Sequence, residues 1–375
     1  MTLAELETPA LLLDRARLES NLARMRAALA PHKVDLRPHL KTAKNVEVAR
    51  LMTAGWSGAV TVSTLKEADQ FFAAGFADIL YAVGIAPNKL PHAARLHAAG
   101  ARLGLIVDSQ EAARQVAGFG RDHGVQFPVM IEIDSDGHRA GVRPGDAELL
   151  RAIAEALAGG AELAGVMTHG GGSYGATSPQ AIADHAELER AGAVGAAMIL
   201  RESGFACPVV SVGSTPTALF ARHLDGVTEV RAGVHCFMDL VMAGLGVCGV
   251  QDIAISVLAS VIGHRRDEDW LIVDAGWMAM SRDRGTQNQR VDQGYGLVCD
   301  AAGNPLDDLV VVSANQEHGI VASRRGAPLD LARFPVGTML RILPNHACAT
   351  AAQHGRYQVL ENGRPVGEWE RFGGW

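Results

Sequence analysis

The chain has 375 residues, 48% of them hydrophobic and 20% charged, with a formal net charge of -7. That length exceeds one ordinary domain and predicts a large domain with a smaller one beside it, and the composition is that of a packed chain rather than a disordered one. The acidic balance and the lack of a long basic run argue against nucleic acid or an anionic membrane as partner.

The five cysteines, Cys207, Cys236, Cys248, Cys299 and Cys348, are odd in number and contain no tight C-x-x-C pair. Reduced thiols and a cytoplasmic setting are therefore expected rather than a disulfide framework. The N-terminal segment lacks a basic start followed by an apolar stretch, so no secretory leader is expected. No apolar run approaches the roughly 20 residues that span a bilayer.

In chain order, the first element is a short apolar strand over 9–14. From residue 30 to 236 one theme recurs: a short apolar, β-branched run ends in polar or glycine residues, and an alanine-rich helical stretch follows. The expected strands are 34–41, 58–63, 78–84, 103–108, 127–134, 163–170, 207–213 and 227–235. Each is short and largely apolar, as strands buried on both faces are. Eight strands with seven intervening helical segments predict an α/β fold, a (β/α)8 TIM-type barrel, with a doubly wound open sheet as rival. After about residue 250 helical periodicity fades. Strand-like runs at 254–262, 270–275, 310–313 and 338–343 alternate with turns rich in Gly, Asp and Pro, which reads as a β-rich second domain. The expected division is 15–250 for the barrel, with 1–14 and 251–375 forming the β-rich domain.

In such a barrel the chemistry gathers where strands end. The expected ends carry Arg37, His39, Lys41 and Lys44, then Ser63 and Gly84, then Asp134 through His138, Arg139 and Gly141. His169, Ser173 and Tyr174 follow, then Gly213–Thr217, Arg231, Gly233 and His235. Lysine is scarce, only Lys33, Lys41, Lys44, Lys66 and Lys89. Lys41 stands at the first strand end, where partial desolvation would lower an amine's pKa, as Schiff-base chemistry needs. The plain alternative is a surface lysine opening a helix, and Lys44 is the rival amine.

The segment Gly213-Ser-Thr-Pro-Thr217 combines glycine, hydroxyls and a proline that can open a helix, in the loop region where barrels often hold phosphate. An ordinary N-cap is the alternative. His346 and Cys348, two apart in an extended segment, would face one side and offer imidazole and thiolate to one metal ion, although two ligands are fewer than usual. A buried histidine beside a buried cysteine is the alternative. Asp283, Glu317 and His318 lie in glycine-bounded turns and either line a cleft or face solvent.

Taken together, Arg37-Pro-His-Leu-Lys-Thr42, Ser211-Val-Gly-Ser-Thr-Pro216 and Pro344-Asn-His-Ala-Cys-Ala-Thr350 resemble the fold-type III pyridoxal-phosphate enzymes, in the branch of D-threonine aldolase and D-serine dehydratase. The resemblance covers almost the whole chain. It implies an alanine-racemase-like barrel with a β-rich domain, a homodimer, and pyridoxal 5'-phosphate carried by Lys41. It also implies that Gly213, Ser214 and Thr215 hold the phosphate, and that Arg139, His169, Tyr174, Gly233 and His235 surround the cofactor, with tyrosine the family residue at the place of His235. His346 and Cys348 would bind a divalent metal, with zinc first in order. The implied activity is dehydration of a small β-hydroxy-D-amino acid, D-threo-3-hydroxyaspartate first and D-serine second. The alternatives are an aldolase cleavage to glycine and an aldehyde, racemisation, and a non-catalytic cofactor carrier. Arg139, Arg231 and Arg282 are all candidates for the substrate's second carboxylate.

Overall fold

The structure, a computed structural model, describes residues 2–137 and 139–375. Two compact units divide the chain: Met25–Gly233 with Gly374–Trp375, and Met1–Arg24 with Val234–Gly373. In chain order the strands are β1 (Ala10–Asp14), then β2 (Asp35–Leu36), β3 (Val60–Val62), β4 (Asp78–Tyr81), β5 (Arg102–Val107), β6 (Phe127–Ile133), β7 (Ala161–Thr168), β8 (Val209–Val212) and β9 (Glu229–Val230). They continue as β10 (Ile255–Arg265), β11 (Trp270–Val273), β12 (Leu297–Cys299), β13 (Pro305–Ala314), β14 (Gly319–Ser323), β15 (Met339–Leu343), β16 (Arg356–Glu361) and β17 (Arg364–Glu370).

Strands β2 to β9 are all parallel and pair in sequence order, β3 to β9, with β2 returning to β9. A parallel bridge between His39 and Thr61 joins the two ends, so the eight strands close into a barrel. Every residue of β6 is buried, the signature of a strand covered on both faces. Leu80, Ile106, Met130, Ala164 and Met167 pack together in the core of this unit. The helices between strands are capped by their own sequence: Asn45, Thr64, Ser109, Asp146 and Ser178 each accept a backbone N–H of the first turn. The expected strand over 34–41 is shorter than its apolar pattern suggested. The regular strand covers only Asp35–Leu36, yet the N–H groups of Asp35, Arg37 and His39 bond in turn to the carbonyls of Thr228, Val230 and Ala232. Pro38, which has no N–H, offers only its carbonyl to the Thr61 N–H on the other side.

The other unit is antiparallel but for one pair. Strands β10, β11, β14, β13, β12 and β15 pair around a closed ring, because β10 pairs with both β15 and β11. Strand β1 lies antiparallel to β10 and parallel to β16, and the β16–β17 hairpin extends the sheet. Strands β1, β10, β11, β13 and β15 fall on the apolar runs expected from sequence. Strands β12 and β14, only three and five residues long, and the final hairpin, in which charged residues interrupt the apolar run, lie outside the expected strands. Among the described residues no helix is long and apolar enough to cross a membrane.

Candidate functional site

In the barrel unit the expected residues converge at the ends of the strands. Lys41 lies not at the start of a helix but in a turn just past the His39 bridge, and the next helix begins only at Val46. It is exposed rather than desolvated, and among the described residues no carboxylate pairs with it. Lys44 differs. Its Nζ lies 3.0 Å from the Oε1 of buried Glu67, which also accepts the Ser63 N–H at 3.0 Å. The rival amine is thus held in an ion pair, which Lys41 does not make among the described residues.

Two half-buried imidazoles stand near Lys41. His39 shares a hydrogen bond of 2.9 Å between its Nε2 and the Ser63 hydroxyl, and burial, with Lys41 and Arg231 nearby, holds its pKa well below the ordinary value. His169 donates from Nδ1 to the Gly213 carbonyl at 3.0 Å, which fixes its tautomer and leaves Nε2 with a lone pair. Burial first, and then Lys41, Arg231 and Arg139, bring its pKa down to about 4, against the opposing pull of the Gly213 carbonyl. Both rings are therefore neutral at pH 7, and the charge around them is cationic. The ring of Tyr174 lies 6.2 Å from that of His169. Arg139 is largely exposed, lies 3.4 Å from the Glu132 carboxylate, and lines a recess with Glu132, Asp134, Asp136 and His169. His138, part of the expected polar rim, lies outside the described residues.

The Gly213–Thr217 segment caps a short helix, Thr215–Phe220, in which the Ser214 hydroxyl and Thr217 form a capping box. Gly213 takes φ +140°, and a Cβ there would lie 2.1 Å from the Arg231 carbonyl, so only glycine fits. Its N–H is already given to Glu189, and the Ser214 N–H to Thr217 Oγ1 at 2.9 Å. These two residues shape the loop more than they offer free N–H donors. Gly233 is equally confined: a Cβ would meet the His39 carbonyl at 2.8 Å.

Glu189 was not singled out from sequence. It sits mid-way along the helix Pro179–Glu202, 2% exposed, and its Oε1 accepts N–H groups from Gly170 at 2.5 Å and Gly213 at 3.0 Å. One buried carboxylate thus ties together the loops after β7 and β8. Its helix has the usual amphipathic texture, which hides a single inward acid. Arg231 is committed as well. Its guanidinium donates to Ser211 Oγ at 2.7 Å and to the Thr168 carbonyl at 2.6 Å within the barrel, which removes it from the three arginines considered for the substrate.

In the β-rich unit, His346 opens a short helix, Ala347–Ala351, after β15. Its Nδ1 lies 2.6 Å from Asp283 Oδ2, and its ring is hydrogen-bonded to Cys348. Burial opposes charge on this ring, but Asp283 and Cys348 outweigh it and raise its pKa to about 11. Asp239, 1% exposed, accepts the Ala347 N–H at 2.9 Å, between the two candidate ligands. An imidazole nitrogen and a sulfur in contact, flanked by acids, are a donor set suited to a divalent metal. Among the described residues no group of three His, Cys, Asp or Glu side chains is arranged to hold one, so water or substrate would have to complete the shell. His235 is fully buried in the 3-10 turn Val234–Cys236 of this same unit. Arg282 is exposed and stacks 4.2 Å over the Trp277 ring.

Comparison with known proteins agrees with this architecture. Residues 13–241 match the alanine racemase N-terminal domain, and residues 254–360 match the putative serine dehydratase domain. The chain is 57% identical to D-threo-3-hydroxyaspartate dehydratase of Delftia sp. (strain HT23), over 100% of this chain and 99% of that protein. The solved structure of that enzyme superposes with a TM-score of 0.98, each chain covered in full. D-serine dehydratase of Dictyostelium discoideum is 31% identical over 96% of this chain and 95% of its own, and D-threonine aldolase of Arthrobacter sp is 29% identical over 98% and 93%. Two solved mutants of the Delftia enzyme replace a histidine and, two residues further on, a cysteine by alanine, the latter in a metal-free form. With a matching model across more than half its length and such relatives along all of it, the chain belongs to the alanine-racemase-like family of D-threo-3-hydroxyaspartate dehydratase and D-serine dehydratase.

Proposed function

We propose that this protein is a pyridoxal-phosphate- and metal-dependent lyase that dehydrates small β-hydroxy-D-amino acids, with D-threo-3-hydroxyaspartate giving oxaloacetate and ammonia. D-Serine, giving pyruvate and ammonia, is the second substrate. The observation that carries the reading is the His346–Cys348 pair, buttressed by Asp283, at the same two-residue spacing as the histidine and cysteine replaced in the Delftia mutants.

The residues fit both groups. The cationic field of Lys41, Arg139 and Arg231, felt by both histidines, suits an anionic cofactor, and Lys41 offers an amine with no carboxylate partner among the described residues. Lys41 would carry the cofactor, with Arg139, His169, Tyr174, Gly213, Ser214, Thr215, Gly233 and His235 around it. When bound, pyridoxal phosphate supplies an electron sink for negative charge at the substrate Cα. A divalent ion held by His346 and Cys348, zinc first in order, supplies Lewis acidity toward the β-hydroxyl. Within this scheme Lys41 Nζ takes the α-proton as general base. His169, neutral with its Nδ1–H locked onto Gly213, keeps Nε2 as an acceptor and adds no competing acid. Loss of the α-proton and of the β-hydroxyl as water leaves an enamine, which hydrolyses to the keto acid and ammonia. We further propose a cytoplasmic homodimer; no disulfide is formed among the described residues.

The second reading, a metal-activated aldolase giving glycine and an aldehyde, is favoured by the Arthrobacter relative and opposed by the sulfur ligand Cys348. Incubation with pyridoxal phosphate, zinc and D-threo-3-hydroxyaspartate, followed by NMR, separates the two. Oxaloacetate and ammonia, lost on chelation, support the dehydratase; glycine and glyoxylate mean an aldolase. Turnover of no hydroxyamino acid would leave a cofactor carrier.

A further inference from the structure

The loop between Met280 and Thr286 is built to present one carboxylate. Ser281 takes φ +75°, and its hydroxyl accepts the Asp283 N–H at 3.2 Å. The Asp283 side chain accepts the backbone N–H of Gly285 and meets His346 Nδ1 at 2.6 Å. The Asp283 carbonyl in turn accepts from the side-chain amide of Asn345, 3.3 Å away and 2% exposed, the residue directly before His346. That amide also donates to the Gly294 carbonyl at 2.7 Å, and its oxygen accepts from the Thr286 hydroxyl at 2.9 Å. Asp283 and His346 are thus joined twice, once through their side chains and once through Asn345.

From this geometry we infer that Asp283 is a positioning residue for the metal centre, an inference that rests on the metal reading of His346 and Cys348. An imidazole whose Nδ1–H donates to a carboxylate is fixed in tautomer and ring orientation, and its Nε2 is left as the metal-binding nitrogen with added basicity. Asp283 does not bind the ion. It removes the rotational freedom that a two-ligand site can least tolerate, because among the described residues no third protein ligand would correct a misplaced ring. Asn345 holds the carboxylate and the histidine backbone in one frame.

The test is metal affinity of the full-length protein loaded with pyridoxal phosphate, stripped of metal by a chelator and titrated with zinc against a competing dye. Loss of such a partner weakens metal affinity by about 10–100-fold. Asp283→Ala is expected to show that loss, and Asp283→Asn, which keeps an acceptor oxygen but not its charge, a smaller one. In both variants cofactor absorbance stays at the wild-type level, and activity returns at saturating zinc, which a residue contacting the substrate would not permit. Wild-type zinc affinity in Asp283→Ala, with cofactor bound and circular dichroism unchanged, overturns the inference while leaving the metal reading intact. Should Asp283→Ala not fold, the same comparison made with Asp283→Asn decides it. If the wild-type protein and His346→Ala alike bind no zinc, the metal reading fails and this inference falls with it.

Discussion

Glu189 accepts the backbone N–H of Gly213 at 3.0 Å from beneath the loop, and the same oxygen holds Gly170. A carboxylate that is 2% exposed and bonded to two loops determines their spacing. Burial raises its pKa, and the N–H groups of Gly213 and Gly170 work against that rise. Glu189→Ala leaves two buried N–H groups without an acceptor, at about 1–3 kcal/mol each. The expected outcome is a urea midpoint lowered accordingly and weaker retention of pyridoxal phosphate on dialysis. Glu189→Gln, which retains one oxygen able to accept both, should lose far less on each measure.

The two lysines at the head of the barrel should part company on mutation. Lys41→Ala is expected to lose the visible absorbance of bound cofactor and at least about 10²–10⁴-fold in turnover, the usual contribution of a general base, with thermal stability near wild type. Lys44→Ala should do the reverse. It strips the ion pair from Glu67, which is 1% exposed, and costs roughly 1–3 kcal/mol while the cofactor band remains. A cofactor band that survives in Lys41→Ala and vanishes in Lys44→Ala would exchange their roles.

Acid should act on His169. Its pKa lies at about 4 in the fold against an unfolded value near 6.5. A depressed histidine is neutral in the native state, so between these values the unfolded chain binds the extra proton. Its contribution to stability is therefore complete above pH 6.5, falls as the pH drops from 6.5 to 4, and is gone below that. The loss is of the order of 3 kcal/mol at most. Urea denaturation at several pH values should show a shallower slope across that window for His169→Asn than for wild type; identical slopes would mean that the ring is not buried neutral.

Cys348→Ala removes the sulfur donor and leaves His346 as the one remaining ligand of the pair. Metal analysis of the purified variant should find zinc absent, and dehydration should fall by at least about 100-fold, of the order expected when a metal-site residue is lost. Cofactor absorbance should be unchanged, because Lys41 lies elsewhere in the chain. Retention of metal and of rate in Cys348→Ala would point to ligands other than these two.

Much of this protein is written in one dimension. Short apolar runs buried on both faces must alternate with helices, so eight of them announced a barrel. Residue chemistry at the run ends drew attention to Lys41, to Gly213 and to the His346–Cys348 pair, since glycine, lysine and a closely spaced N/S pair are rare enough to be conspicuous. Tertiary structure decided what those residues can do. Lys44 resembles Lys41 in sequence, and only the arrival of Glu67 from a helix further along the chain binds it in an ion pair. Arg231 resembled a substrate arginine until its guanidinium was found bonded to Ser211 and Thr168. Glu189, one acid in a helix of 24 residues, carries no local signal, and Asp283, conspicuous in its glycine-bounded turn, gives no sign in sequence of its partner His346, 63 positions away. Their roles arise from contacts that chain folding makes between distant segments, where a buried charge must find partners and thereby fixes the loops that supply them.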